Sequence, residues 1–435
     1  MSRTPVEPSA SDTEAKPLRP FAALWSGQAV SLFGSRLVRF AIVWWIAVET
    51  GSATVLALFS IAALLPAVLV SPFAGSLVDR WSRRKVMAVA DSITASSIGV
   101  LAYLYFLGIV EVWQIMIVMV VGATSDSFHL PAMASSTTLM VPRKHLGRVG
   151  GMNQALSGIA GIMAPPLGAL LLAFLPMASI LAIDIVTAFI AVVIVLSLDI
   201  PEPSRMEQTR TASVLSNMVE GFRYVVGWRP IAVIILAAMI VNLLTSPAFS
   251  LLPILVTEHF LGDANAYAAV QSFLSMGLVL GGVLLGVWGG GRRRMVTGLA
   301  ALIPMGVGML AISQLPSNGF LVSLLLFFVI GFSLPIMNGS TVAVLQSAVP
   351  PEMQGRVFSI VTSLAGAMIP VGLAVAGPLA DTFGVQVWFL AAGLATIVMS
   401  LSALSVRSVR DVDQDEGTRN AQPTQADIQE VADGL

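Results

Sequence analysis

No cysteine occurs in the 435 residues, which excludes disulfides, thiolate metal sites and a thiol nucleophile. Histidine is nearly absent: His129, His145 and His259 are the only three. They fall at three different depths, and no H-E-x-x-H pattern joins them to a metal. Without G-x-S-x-G or a carboxylate cluster there is no hydrolytic set. A membrane-embedded lipid-modifying enzyme, the rival reading from another class, therefore lacks its reactive groups. An ATP-driven pump is disfavoured too, since no G-x-x-x-x-G-K-[ST] loop exists and GGGRRR at 289–294 lacks the spacing that cradles phosphates. Charge is scarce as well, 11% of residues against 56% hydrophobic, a balance outside that of water-soluble domains. The few charges therefore carry most of the information.

What is present is apolar length. A bilayer core takes about 20 residues of helix, and twelve segments meet that template, at 21–48, 53–77, 86–108, 112–140, 150–175, 178–198, 230–257, 266–290, 296–315, 319–347, 357–380 and 384–406. With both termini in the cytosol, 21 of the 23 lysines and arginines lie on the inner side or in the tails, as the positive-inside rule requires. The other two, Arg36 and Arg39, lie within the first span. The expected fold is all-α and integral to the membrane, two pseudo-symmetric six-helix bundles at 21–198 and 230–406 joined by a linker at 199–229. Residues 1–20 form a polar cytosolic tail with no signal-peptide pattern, and the acidic tail at 407–435 is expected to be disordered. In the linker, Val214, Leu215, Met218, Val219, Phe222, Val225 and Val226 share one helical face. That helix either lies along the inner membrane surface or packs on the protein's own cytosolic face.

The halves resemble each other in spelling. Val141-Pro142 with Gly147-Arg148-Val149 returns as Val349-Pro350 with Gly355-Arg356-Val357, and Arg83-Arg84-Lys85 is matched by Arg292-Arg293-Arg294. Each pair falls at the same topological place, so a duplicated six-helix unit is the economical explanation, as in many secondary transporters.

Between spans two and three the chain reads Gly75-Ser76-Leu77-Val78-Asp79-Arg80-Trp81-Ser82-Arg83-Arg84-Lys85. This resembles the signature loop of the major facilitator superfamily, G-x-L-x-D-R-x-G-R-[RK]-[RK], with Ser82 in place of glycine. SPFAG before the loop, the opening LWSGQAVSLFGS and the later VP…GRVGGMNQ resemble the macrolide-efflux and siderophore-exporter branch of drug:proton antiporters. Ala164-Pro165-Pro166-Leu167-Gly168-Ala169 is similar to the antiporter pattern G-P-x-x-G-G, with alanine at two glycine positions. The resemblance implies a conformational latch: Asp79 docks against the start of span eleven near Arg356, with Arg83 bridging, flanked by Gly75, Arg80 and Arg84. The alternative is a loop that only fixes topology.

Ionisable groups inside the membrane are costly and mark function. Arg36 and Arg39 in span one and Asp126 in span four are expected to meet in the central cavity that helices one and four face in the superfamily. Either Asp126 changes protonation during the cycle, or surplus positive charge holds an acidic group on the cargo; a fixed ion pair orienting two helices is the bland alternative. His129 either relays protons with Asp126 or is simply hydrogen-bonded. Asp91 and Asp184 are read as lying nearer span ends. Phe33 and Phe40 flank Arg36 as candidate cargo contacts, Trp44 and Trp45 are read as interfacial anchors, and the second half offers the amides Asn242, Gln271 and Asn338. The expected activity is proton-coupled efflux of amphiphilic small molecules by alternating access, the alternative being transport of an anionic metabolite through Arg36 and Arg39. The expected partners are a small-molecule substrate, protons and lipid, with no cofactor, metal or nucleic acid. The expected setting is a monomer in the bacterial inner membrane.

Overall fold

A computed structural model describes residues 18–78, 80–201 and 227–410. Asp79, most of the linker and nearly all of both tails lie outside the described residues, and with them the amphipathic linker helix expected above. The described residues contain twelve helices long and apolar enough to cross a membrane, and no strand. In lipid no water is available to satisfy the backbone, so a chain this apolar must close its hydrogen bonds within each segment, which only helices do without partner strands.

The first six helices are α1 (Leu18–Thr50), α2 (Ala53–Val78), α3 (Arg83–Leu107), α4 (Val112–Met140), α5 (Leu146–Phe174) and α6 (Met177–Ser197). The second six are α7 (Arg229–Ser250), α8 (Ala264–Trp288), α9 (Arg294–Gln314), α10 (Phe320–Ala348), α11 (Pro351–Phe383) and α12 (Val385–Ser405). Packing is dense within each set of six, and α2 against α11 and α5 against α8 join the sets. Successive helices alternate in direction, so the loops that carry lysine and arginine collect at one end, here termed the basic end. Glu49, Glu111, Glu258, Asp263 and Asp381 collect at the other, the acidic end. Large apolar side chains stay uncovered around the girth, Phe174 at 78% and Val287 at 84%; an apolar belt of this extent is a lipid contact.

The seventh span differs from its expected extent. The α-helix stops at Ser250, and a short turn at Leu252–Ile254 and a π-helical turn at Leu255–His259 follow. Pro247 and Pro253 have no N–H to donate, so the ladder re-registers there. The turn delivers His259 to the carbonyl of Leu315 at 2.8 Å and to the Gln386 amide, stitching together the acidic ends of α7, α9 and α12.

Small residues set the closest helix approach. On α8, a Cβ added to Gly277 would meet the backbone of Phe328 and Phe332, and one added to Gly281 would meet the backbone of Phe332. Asp263 caps the same helix, accepting from the Ala266 N–H and the Asn265 amide, each at 3.0 Å. These bonds, the Ala266 amide foremost, hold its carboxyl below the usual carboxylate range. The cap's contribution is therefore present above the unfolded carboxylate's pKa and is lost as pH falls through the folded one.

Candidate functional site

One face of α1 organises the site. Ala29, Leu32, Arg36, Arg39 and Val43 recur at helical spacing and line a cavity of about 780 Å3 whose other walls come from α2, α3, α4, α5, α6 and α8. That volume lies within the range of drug-sized pockets. Its arginine, aspartate and histidine side chains all belong to the first half: Arg36, Arg39, Asp91, Asp126, His129 and Asp184. The second half contributes Tyr267, Gln271 and Ser275 from α8.

Arg36 and Asp126 thus line one cavity, together with Arg39 and His129. No carboxylate of a described residue comes within 4.0 Å of either guanidinium, so the direct arginine–aspartate pair does not form in this conformation. Arg36 instead reaches toward α5, its Nη1 lying 3.8 Å from the space that a Cβ on Gly161 would take. Arg39 and Asp126 are exposed to the cavity.

Two carboxylates read from the sequence as lying near span ends are part of the wall. Asp91 accepts from the Gln28 amide at 3.1 Å and lies 3.3 Å from His129 Nε2. The second approach is not an aligned hydrogen bond, and it is an ion pair only when the imidazole is protonated. Asp184, 3% exposed, accepts from the Ser35 hydroxyl at 2.8 Å. These acids correct the expected charge balance: two guanidiniums face three carboxylates, so the surplus positive charge on which an anionic cargo rested is absent.

Ser35→Ala should lower thermal stability in detergent, because it leaves a buried carboxylate without its described donor. A hydrogen bond to a charged group contributes about 1.5–3 kcal/mol. Asp184→Asn in the same background should recover part of the loss, since the uncompensated charge is then gone.

The acidic end of the cavity is closed by rings from both halves. Phe40 and Trp44 of α1 stack on Tyr267 of α8 at 5.0 and 5.9 Å, and Gln271 donates to the Tyr267 hydroxyl at 2.9 Å. Below them Ser272 of α8 donates to the Ile162 carbonyl of α5 at 2.9 Å. Trp44 is thus half-buried against Tyr267, and Trp45 is half-buried edge-on to Tyr105 at 5.2 Å. At the basic end a Cβ placed on Gly75, Gly147, Gly151 or Gly355 would meet nothing within 4 Å. The cavity lining reaches that end through Trp25, Met133 and Asn153, with Trp25 donating to Asn153 at 2.7 Å.

Among the expected cargo contacts, Arg36, Arg39, Phe40 and Gln271 line the cavity, whereas Phe33, Asn242 and Asn338 do not. Phe33 lies about 60° round the helix from Arg36, three residues at 3.6 per turn. Asn242 spends its amide on the Ala238 carbonyl at 2.9 Å, and Asn338 is exposed on α10 away from the cavity. Of the latch residues, Arg80 is exposed, Arg83 is buried, Arg84 donates to the Leu196 carbonyl, and Arg356 contacts the Met353 sulfur at 3.5 Å. Asp79 itself lies outside the described residues.

The family described as Major Facilitator Superfamily matches residues 24–373. Macrolide efflux protein A of Streptococcus pyogenes is 31% identical over 393 residues, covering 90% of this chain and 97% of that protein. Multidrug efflux pump Tap of Mycolicibacterium fortuitum is 29% identical over 412 residues, covering 90% and 96%. Among solved structures, a mutant of the nucleoside transporter NupG superposes with TM-score 0.71 at 14% identity, covering 89% of this chain and 98% of that one. The D-xylose-proton symporter does so with TM-score 0.67 at 13% identity, covering 91% and 98%. At these identities the two structures speak for the fold alone.

Proposed function

Since the chain belongs to the Major Facilitator Superfamily, and is thereby a multi-pass membrane transporter and not an enzyme, we propose that it expels amphiphilic small molecules of the drug or siderophore type in exchange for protons. The observation that carries this reading is the composition of the cavity, aromatic at its closed end, with two guanidiniums and three carboxylates along its wall. The likeness to Macrolide efflux protein A and to Multidrug efflux pump Tap supports export.

The positive-inside rule assigns the basic end to the cytosol, and with it both termini, in a bacterial inner membrane. The present conformation then receives cargo from inside. Phe40, Gln271, Arg36 and Arg39 contact the cargo; Asp126, Asp91 and His129 carry the proton. Ionising every carboxylate leaves one negative charge, and sealing an uncompensated charge away from water costs several kcal/mol. One proton on this set cancels it, so the cargo-free cavity closes readily only when a proton is aboard; cargo takes the proton's place on the outward passage, and the two gradients are linked as an exchange through the states they favour. One chain encloses the whole cavity, in keeping with a working monomer.

Everted vesicles energised with acid inside should accumulate macrolides, other amphiphilic drugs or siderophores, and an uncoupler should abolish the accumulation. Accumulation indifferent to the uncoupler removes proton coupling. If no member of the panel accumulates, and cells lacking the protein are no more sensitive, the export reading fails.

A further inference from the structure

Two stretches share a spelling: Gly75-Ser76-Leu77-Val78-Asp79 at the end of α2, and Gly377-Pro378-Leu379-Ala380-Asp381 near the end of α11. Because α2 and α11 pack against each other across the boundary between the halves and run in opposite directions, the described parts of the two stretches, Gly75–Val78 and Gly377–Asp381, belong to opposite ends of one helix pair.

At the acidic end the contact is made. Asp381 accepts from the Ala53 N–H at 2.6 Å, the Thr54 N–H at 3.0 Å and the Ser52 hydroxyl at 3.0 Å. The Ser52 hydroxyl in turn accepts from the Val55 N–H at 3.3 Å. The first amides of a helix have no partner within it, and here two of them are satisfied by a carboxylate from the other half. A negative group at that position is also favoured by the helix dipole. Gly377, one turn earlier, allows the approach: a Cβ there would lie 2.8 Å from Thr54 Cα and 3.0 Å from Ala57 Cβ. At the basic end the corresponding glycine, Gly75, has open space around it.

We propose that Asp381 is the clamp that keeps the acidic end shut, and that its release from the amino end of α2 is a step in every transport cycle. That the clamped end faces outward rests on the export reading above. Cargo then leaves only when this carboxylate lets go, and the same helix pair rocks closed at the basic end, where the sequence resemblance assigns a latch to Asp79.

The absence of native cysteine permits the test by spin labels in liposomes. One pair, Ile109→Cys with Ser317→Cys, spans the halves at the acidic end; the other, Met152→Cys with Val287→Cys, spans them at the basic end. Asp381→Ala should raise the ratio of open to closed populations in the first pair about tenfold, ~1.4 kcal/mol, and shorten the second distance in step. Asp381→Asn keeps one acceptor oxygen and should shift both less. Unchanged distances in Asp381→Ala overturn the clamp, and so does broadening of both pairs without reciprocity, which is the signature of misfolding. A membrane-impermeant reductant added to right-side-out vesicles should bleach the first pair first. The reverse order overturns the assigned orientation while leaving the clamp standing.

Discussion

Asp91→Asn is expected to cut proton-driven accumulation in everted vesicles by about a hundredfold, the low end of what loss of a positioned proton carrier costs. Counterflow of labelled cargo, which moves no net protons, should persist. Asparagine has nearly the shape of aspartate and keeps an acceptor for the Gln28 amide, but removes the negative charge lying 3.3 Å from His129. Around that pair stand Arg36 and Arg39 on α1, Asp126 on α4 and Asp184 on α6, while α8 presents only neutral groups and α5 no charge. In the variant two carboxylates face two guanidiniums, and the cavity can close without a proton. The carrier should then equilibrate its cargo but not concentrate it. Wild-type accumulation would remove Asp91 from the proton's path, and loss of counterflow would mean that the substitution damages cargo binding.

Gly281→Val is expected to abolish accumulation of folded protein. A Cβ at Gly281 would lie 2.9 Å from Phe332 C and 2.9 Å from Pro335 Cγ, with the Phe332 carbonyl oxygen closer still. Backbone has no rotamer to move out of the way, so α8 and α10 would have to part along their whole contact. Gly331 of α10 meets the Leu274 backbone of α8 in the same manner. Overpacking a core costs about 1–3 kcal/mol where side chains can adjust, and more where backbone meets backbone. Gly286→Val is the control: it lies on the same helix, and nothing stands within 4 Å of its Cβ position. Size-exclusion profiles of fluorescent fusions should show a monodisperse peak for the control and none for Gly281→Val. A normal peak for both would mean that α8 and α10 do not pack as described.

The twelve spans and the sided arrangement of cations were legible because both are properties of position along the chain. What a charge faces is not. Asp91 lies eight residues into α3, about 12 Å at the rise of a helix, which a count of residues places toward a span end. The cavity lining reaches that end, so the depth that reads as peripheral is in fact wall. Asp184 was missed for a related reason: its donor, Ser35, is a hydroxyl on another helix with no sequence signature. The available signal was chemical, since an acid anywhere in an apolar helix needs a polar partner. Asn242 shows the converse, an amide that satisfies itself on its own helix and so marks nothing. Asp381 carries no sign of its contacts in the sequence because its partners lie more than 300 positions earlier in the chain.

All the cavity's arginine, aspartate and histidine side chains stand on helices of one half, while the other supplies a phenol, an amide and a hydroxyl from a single helix. Rewriting positions 267, 271 and 275 would therefore reshape one side of the chamber while every arginine, aspartate and histidine in it stays where it is.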